Sequence, residues 1–319
     1  MMKRIVLLVM ICLVWLTAMA DRPKIGLVLG GGGAKGAAEV GVLKVLERTG
    51  VKPDYIVGTS IGAIVGGLYA AGYSASELDT LFRTQEWLSL LTDRNTRLGN
   101  EPYVTENGVT YIFGFPILDR ATPGFGMMRG GRVERVLDSM FVAKGCSEFA
   151  GLKTPFRCVA ADIRSAKEVV LKQGKVSKAL RASMAIPGVF KPVEKDGTIL
   201  VDGGMLNNLP VDLCRKMGAD IVIAVDLQQR EKTPKKPADL SLLTGLTSLL
   251  GLGDIVEWMA NRPDIQRYID NREDADIYIH PDLGNLDISS FGNKNMAKMI
   301  RLGELAANAH LQELCNLRR

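Results

Sequence analysis

The chain has 319 residues, 47% of them hydrophobic and 24% charged, an ordinary globular balance able to bury a sizeable core in one large α/β domain or two small ones. Its formal net charge is +5, and Lys3 and Arg4 near the N-terminus supply two of those charges, so the remainder is too weak a surplus to make nucleic acid a partner. None of the five cysteines has metal-ligand spacing and histidines number two, so no metal site is expected.

Residues 1–20 read as a secretory signal peptide: Lys3 and Arg4, the apolar run 5–16, then the small-x-small triplet Ala18-Met19-Ala20 before Asp21. The run is short for a bilayer span, with an uncleaved anchor as the alternative. Cys12 lacks the preceding small residues of a lipoprotein signal. Beyond the leader, Cys146, Cys158, Cys214 and Cys315 read as buried free thiols, although export would permit disulfides in any of three pairings. The expected destination is the periplasm, the outer membrane or the medium.

Residues 24–29 (KIGLVL) are a short β-branched and aliphatic run, the mark of a buried strand. Apolar residues then recur at Val40, Leu43, Val45 and Leu46, a helix ending near Gly50. A strand over 55–57 is followed by Gly58-Thr59-Ser60 and a helical run to Gly72. Ser74 and Glu77 have capping-box spacing for the next helix. This strand–helix alternation implies a parallel sheet covered on both faces. From about residue 92 to 131 the texture changes, and Asn107-Gly108 marks a hairpin insertion. A helix over 132–141 and strands over 156–161, 168–171, 199–201 and 220–226 follow. Residues 228–239 read as a loop, 240–260 as helix, 277–279 as a last strand and 295–317 as a terminal helix.

Three segments carry candidate chemistry. Gly31-Gly32-Gly33-Ala34-Lys35-Gly36 fits G-x-G-x-x-G between a strand and a helix, a loop that turns N–H groups toward negative charge. A dinucleotide site would also want an acid at the carboxyl end of the second strand, but Asp54 lies at its other end. A P-loop would need Ser or Thr after the lysine, where Gly36 stands. Gly58-Thr59-Ser60-Ile61-Gly62 is a G-x-S-x-G in the strand-to-helix context of a nucleophile elbow. The flanking glycines let strand and helix approach, and the helix N-terminus favours developing negative charge. Asp202-Gly203-Gly204 ends a strand and would serve a plain turn, yet beside the other two segments Asp202 becomes the candidate base. His280 would complete the order Ser60, Asp202, His280 of an α/β-hydrolase triad, although the elbow comes early for that fold. His310 reads as a surface residue.

Taken together, these residues resemble the patatin-like phospholipase family, whose three signatures occur here in order. Lys35 stands where arginine is frequent and Gly204 where alanine is, both accepted variants. The block 179–193 (ALRASMAIPGVFKPV) is similar to the family's segment before the aspartate, and the likeness spans 24–227. The resemblance implies an α/β three-layer sandwich with a central, mostly parallel sheet flanked by helices. Residues 21–230 would be the catalytic domain and 231–319 a helical extension completing it. It further implies a serine acyl hydrolase that cleaves carboxylic esters of lipids through a Ser60–Asp202 dyad and an acyl-enzyme, without a cofactor. Residues 31–36 would form the oxyanion hole, with the N–H groups around Gly32 and Gly33 binding the tetrahedral intermediate. Gly58, Thr59, Ile61 and Gly62 would shape the elbow, and Gly203 and Gly204 the turn at the aspartate. An ordinary aspartate has a pKa of about 3.9, so the dyad requires a desolvated Asp202 or a bridging water. Three readings compete: an esterase with the His280 triad, a nucleotide-binding protein using the glycine loop, and a catalytically idle scaffold.

Within 240–260, Leu242, Leu243, Leu246, Leu249 and Leu250 fall on one helical face. Charge is absent from 240 to 253, while Lys232, Lys235 and Lys236 lie upstream. The stretch reads either as a helix packed on the core or as a lid that dips into a lipid surface.

Overall fold

The computed structural model describes residues 22–94, 96–98, 100–112, 114–119, 128–228 and 265–318. The leader and the 240–260 segment lie outside them. Ile25–Leu29 forms β1, all of it buried. The glycine loop closes in a 3-10 turn at Gly33–Gly36 and runs into α1 (Ala37–Thr49), which Gly50 ends in a left-handed conformation. β2 (Tyr55–Thr59) leads through Ser60 into α2 (Ile61–Ala70). Ser74 and Glu77 cap α3 (Ala75–Thr84) reciprocally, as their spacing predicts. After α4 (Trp87–Leu91) comes a small antiparallel sheet of β3 (Val104–Glu106), β4 (Val109–Ile112) and β5 (Phe115–Asp119). Asn107 and Gly108 both take positive φ, the geometry that a two-residue hairpin turn demands.

Beyond this insertion lie α5 (Gly131–Ala143), β6 (Phe156–Asp162), β7 (Lys167–Leu171), α6 (Val176–Ser183), β8 (Val193–Lys195) and β9 (Thr198–Asp202). Then follow α7 (Val211–Lys216), β10 (Ile221–Val225), α8 (Ile265–Glu273), β11 (Ile277–Ile279), α9 (Asn293–Asn308) and α10 (Leu311–Asn316). The main sheet has the order β11-β10-β1-β2-β6-β9-β8, with β7 also on β6. Strands β11 through β6 are parallel, and β7, β8 and β9 pair antiparallel. Alternate residues face opposite layers. Leu27, Leu29, Ile56, Cys158 and Ile223 join a large cluster with α1, α2 and α9. Val28, Val57, Val159 and Val222 join a smaller one with Val211, Leu213 and Cys214 of α7. Burial on both faces is why these strands read as continuous apolar runs.

The C-terminal region belongs to this body. β11 pairs with β10, and α9 crosses α1 so closely that a Cβ on Gly303 would stand 1.8 Å from the Ala38 carbonyl oxygen. The single terminal helix expected over 295–317 is instead two, separated at Ala309 and His310. The break lets Leu314 bury its side chain while α9 stays on α1. Cys146, Cys158 and Cys214 are buried free thiols, whereas Cys315 is exposed. Among the described residues no helix is long and apolar enough to cross a membrane.

Candidate active site

Strand pairing explains how Ser60 and Asp202, 142 positions apart, come together. β2 runs parallel to β6 as far as Thr59, opposite Val159, and β9 runs antiparallel to it as far as Asp202, opposite Ala160. β7 pairs with residues 158–162 of β6 and overlaps both registers. A strand has two edges, so β2 and β9 share the other one and meet end to end. The serine after the first strand and the aspartate closing the second are thereby neighbours.

Ser60 has φ 54 and ψ −121, a strained conformation for a residue with a side chain. A Cβ on Gly58 would lie 2.4 Å from the Gly62 carbonyl oxygen, and one on Gly62 would lie 2.3 Å from that of Leu29. The elbow is therefore closed to any residue but glycine at both flanks. The Ser60 N–H donates to Ser183 Oγ at 3.0 Å, and that hydroxyl donates to the Val159 carbonyl at 2.6 Å. The Ser60 carbonyl accepts the Ala63 and Ile64 amides and so starts α2. The Thr59 hydroxyl donates to the Asn207 carbonyl at 2.8 Å.

The carboxylate is 6% exposed and the serine 7%. Ser60 Oγ donates to Asp202 Oδ2 at 2.6 Å, and the Gly204 amide donates to Oδ1 at 2.7 Å. Burial pushes the Asp202 carboxyl up to about 6, against the pull of these two bonds. The Asp202 N–H donates to the Ala185 carbonyl at 2.9 Å. A Cβ on Gly203 would lie 2.3 Å from the Val159 carbonyl oxygen, so the turn presses on the centre of β6.

The glycine loop lies against this elbow. A Cβ on Gly31 would stand 3.3 Å from Ser60 Cβ, and one on Gly36 would stand 2.2 Å from Ile61 Cγ1. Four of the loop's amides are engaged: Gly30 with the Val225 carbonyl, Gly31 with that of Asn208, Ala34 with that of Ile288 and Lys35 with that of Gly32. The Gly32 and Gly33 amides have no acceptor among the described residues. Gly33 has φ +58, which only glycine adopts freely. The Lys35 side chain is buried and its ammonium donates to the Leu227 carbonyl. Burial lowers its pKa, and Asp226 and Asp287 pull the other way.

Two positioning residues escape sequence reasoning as individuals. Asn208 brackets the Gly31 peptide, its carbonyl accepting the Gly31 N–H at 3.1 Å and its Nδ2 donating to the Gly31 carbonyl at 3.1 Å. Its Oδ1 also fills the space that Cβ atoms on Gly31 and Gly204 would need. Ser183 links the Ser60 peptide to β6. The signal for both was an adjacent polar residue, Asn208 four positions past Gly204 and Ser183 within 179–193.

His280 is a correction to the triad alternative. β11 is the edge strand, three places from β2, roughly 14 Å of sheet at the usual spacing. The imidazole stacks on Tyr278, and its Nδ1 lies 3.1 Å from the Asp226 carbonyl oxygen. Asp54, at the amino end of β2, accepts the Ile25 amide at 2.7 Å. That leaves the carboxyl end of β2, where a ribose would be read, to Thr59 and Ser60.

A mostly parallel sheet with helices on both faces, a serine on a strained strand-to-helix turn and a glycine loop beside it define an α/β protein of the three-layer sandwich class. Residues 27–215 match the family model "Patatin-like phospholipase", and the chain belongs to that family. It is 39% identical over 211 residues to patatin-like phospholipase domain-containing protein 6 of Mus musculus, covering 66% of this chain and 14% of that protein. It is 34% identical over 220 residues to an NTE family protein of Mycobacterium tuberculosis, covering 69% of this chain and 53% of the relative. The chain thus corresponds to only part of these relatives. The crystal structure of VipD from Legionella pneumophila shares the fold, with a TM-score of 0.60 at 13% identity over 92% of this chain and 67% of that one.

Proposed function

We propose that the protein is a serine acyl hydrolase that cleaves carboxylic esters of lipids through a Ser60–Asp202 dyad and an acyl-enzyme. The observation that carries this reading is the 2.6 Å bond from Ser60 Oγ to a buried carboxylate, made at a strained elbow against which the glycine loop packs. As Oγ attacks the ester carbonyl carbon, its proton passes to Asp202 Oδ2. The electron pair displaced from the carbonyl becomes an oxyanion facing the Gly32 and Gly33 amides, a type of contact worth about 3 kcal/mol when one donor is lost. Collapse of the intermediate breaks the ester C–O bond, and the leaving alkoxide takes the proton back from Asp202. Water repeats the sequence on the acyl-enzyme, with Asp202 again as base, and releases the acid.

A carboxyl raised to about 6 supports this role, because a base works best when its pKa lies near the operating pH. The leader read in residues 1–20 makes export part of the proposal. Hydrolysis of phospholipid, lysophospholipid and p-nitrophenyl esters by the full chain tests the reading. Ser60→Ala is expected to reduce every detected activity by about 10⁴-fold or more while leaving the circular dichroism unchanged. An activity that survives this substitution would overturn it.

A further inference from the structure

One wall of the site comes from the far end of the chain. Ile288 lies beyond the stretch 27–215 that the family model matches. Its carbonyl accepts the Ala34 N–H at 3.0 Å. A Cβ on Gly33 would stand 2.6 Å from that carbonyl oxygen and 3.1 Å from Ile288 Cβ. Ile288 therefore presses directly on Gly33, whose amide is one of the two left without an acceptor.

The turn that presents Ile288 is well braced. Asp287 Oδ1 accepts the Ser289 N–H at 2.9 Å and the hydroxyls of Ser289 and Ser290 at 2.8 and 3.0 Å. The Asp287 N–H in turn donates to Ser290 Oγ at 3.1 Å, and Leu283 is buried at the turn's base. Yet Ile288 is 58% exposed. A lone exposed isoleucine needs no explanation. What singles this one out is its place, a fixed apolar surface at the rim of the amide cradle.

We infer that Ile288 is a specificity-determining residue whose side chain carries the aliphatic chain of the substrate next to the scissile carbonyl. The inference rests on Ser60 being an ester-cleaving nucleophile. An acyl chain of several carbons covers the isoleucine and removes apolar surface from water, whereas an acetyl group is too short to gain from it. The favoured substrates are then esters of longer aliphatic acids.

The test is the turnover of p-nitrophenyl acetate and p-nitrophenyl decanoate by the full chain, its Ile288→Ser variant and its Ile288→Leu variant. Ile288→Ser is expected to lower kcat/KM for decanoate about tenfold and for acetate by less than about twofold, with Ile288→Leu close to wild type on both. Thermal stability and the rate of Ser60 labelling by a small fluorophosphonate should stay unchanged in both variants. A serine variant that keeps the wild-type chain-length preference, or loses acetate and decanoate alike, would overturn the inference while the nucleophile reading stands. A wild-type chain that neither labels at Ser60 nor turns over either ester would overturn both.

Discussion

Two buried aspartates at strand ends of the same sheet show how differently one residue type can be used. Asp202 receives one hydroxyl, from Ser60, and one amide, from Gly204. Asp226, 1% exposed, receives the phenol hydroxyls of Tyr268 and Tyr278 and the Gln228 amide, with the Lys35 ammonium close enough to feel its charge. Burial, reinforced by the carboxylate, raises both phenol pKa values and keeps those protons in place. The second cluster ties β10, β11 and α8 together through phenols that keep their protons. The first sets a single aliphatic hydroxyl, on a strained backbone, against a carboxyl whose pKa burial has raised. The two sites thus differ in the partners of the acid rather than in the acid itself, and in the proposed dyad the smaller set leaves Asp202 free to take the Ser60 proton.

Substitutions that separate the two clusters follow in order of size. Asp202→Asn is expected to lower kcat by about 10³-fold or more, since the Ser60 proton loses its acceptor. The same change should stabilise the fold near neutral pH. Asp202 is held up at about 6 against an ordinary 3.8, so its native form prefers the proton. Its contribution to stability is full below the ordinary value and is lost as pH rises toward 6, a penalty on the order of 2–3 kcal/mol that asparagine removes. Thermal melts at pH 4 and pH 8 check the sign: the variant should gain at pH 8 and show little difference at pH 4.

Asn208→Ala frees the Gly31 peptide and is expected to cost about 10- to 100-fold in kcat with a smaller change in KM, measured on any ester turned over. Near the second cluster, Glu39 is fully buried, and neither carboxyl oxygen has a hydrogen-bond partner among the described residues. Burial first, and Asp226 second, raise its pKa well above the ordinary glutamate value. The folded chain therefore holds this proton more tightly than the unfolded one, and stability falls as pH climbs above the unfolded value. Glu39→Gln should raise the melting temperature by about a few degrees at pH 8, leave it unchanged at pH 4 and not alter kcat. The smallest effect belongs to His280→Ala, expected to leave kcat/KM within about twofold because the imidazole sits with Asp226 rather than Ser60. A collapse of activity in that variant would erase the distinction between the two clusters.

Much of this arrangement was legible in the sequence because local rules dictate it. Apolar runs buried on both faces marked β1, β2 and β10, Ser74 and Glu77 announced a helix start, and Asn107-Gly108 announced a hairpin. Glycines that a Cβ would block marked the elbow and its neighbouring loop. What escaped depends on pairing between distant segments. Nothing near Ser60 says that β9 will return antiparallel to β6 along the same edge, just beyond where β2 ends. The bracket that Asn208 places on Gly31, 177 positions away, is a consequence of that return. The triad alternative fails for the same reason: chain order fits Ser60, Asp202 and His280, but β11 joins the sheet at its far edge. The contact between Ile288 and Gly33 likewise requires the C-terminal region to fold back across the loop.

The most direct test of the dyad is the rate of fluorophosphonate attachment as a function of pH, with the adduct located by peptide mass mapping. A single adduct on Ser60 is expected, its rate climbing with an inflection near 6 that disappears in Asp202→Asn. An adduct on another residue, or a Ser60 rate indifferent to the loss of the carboxylate, would contradict the coupling of the two side chains.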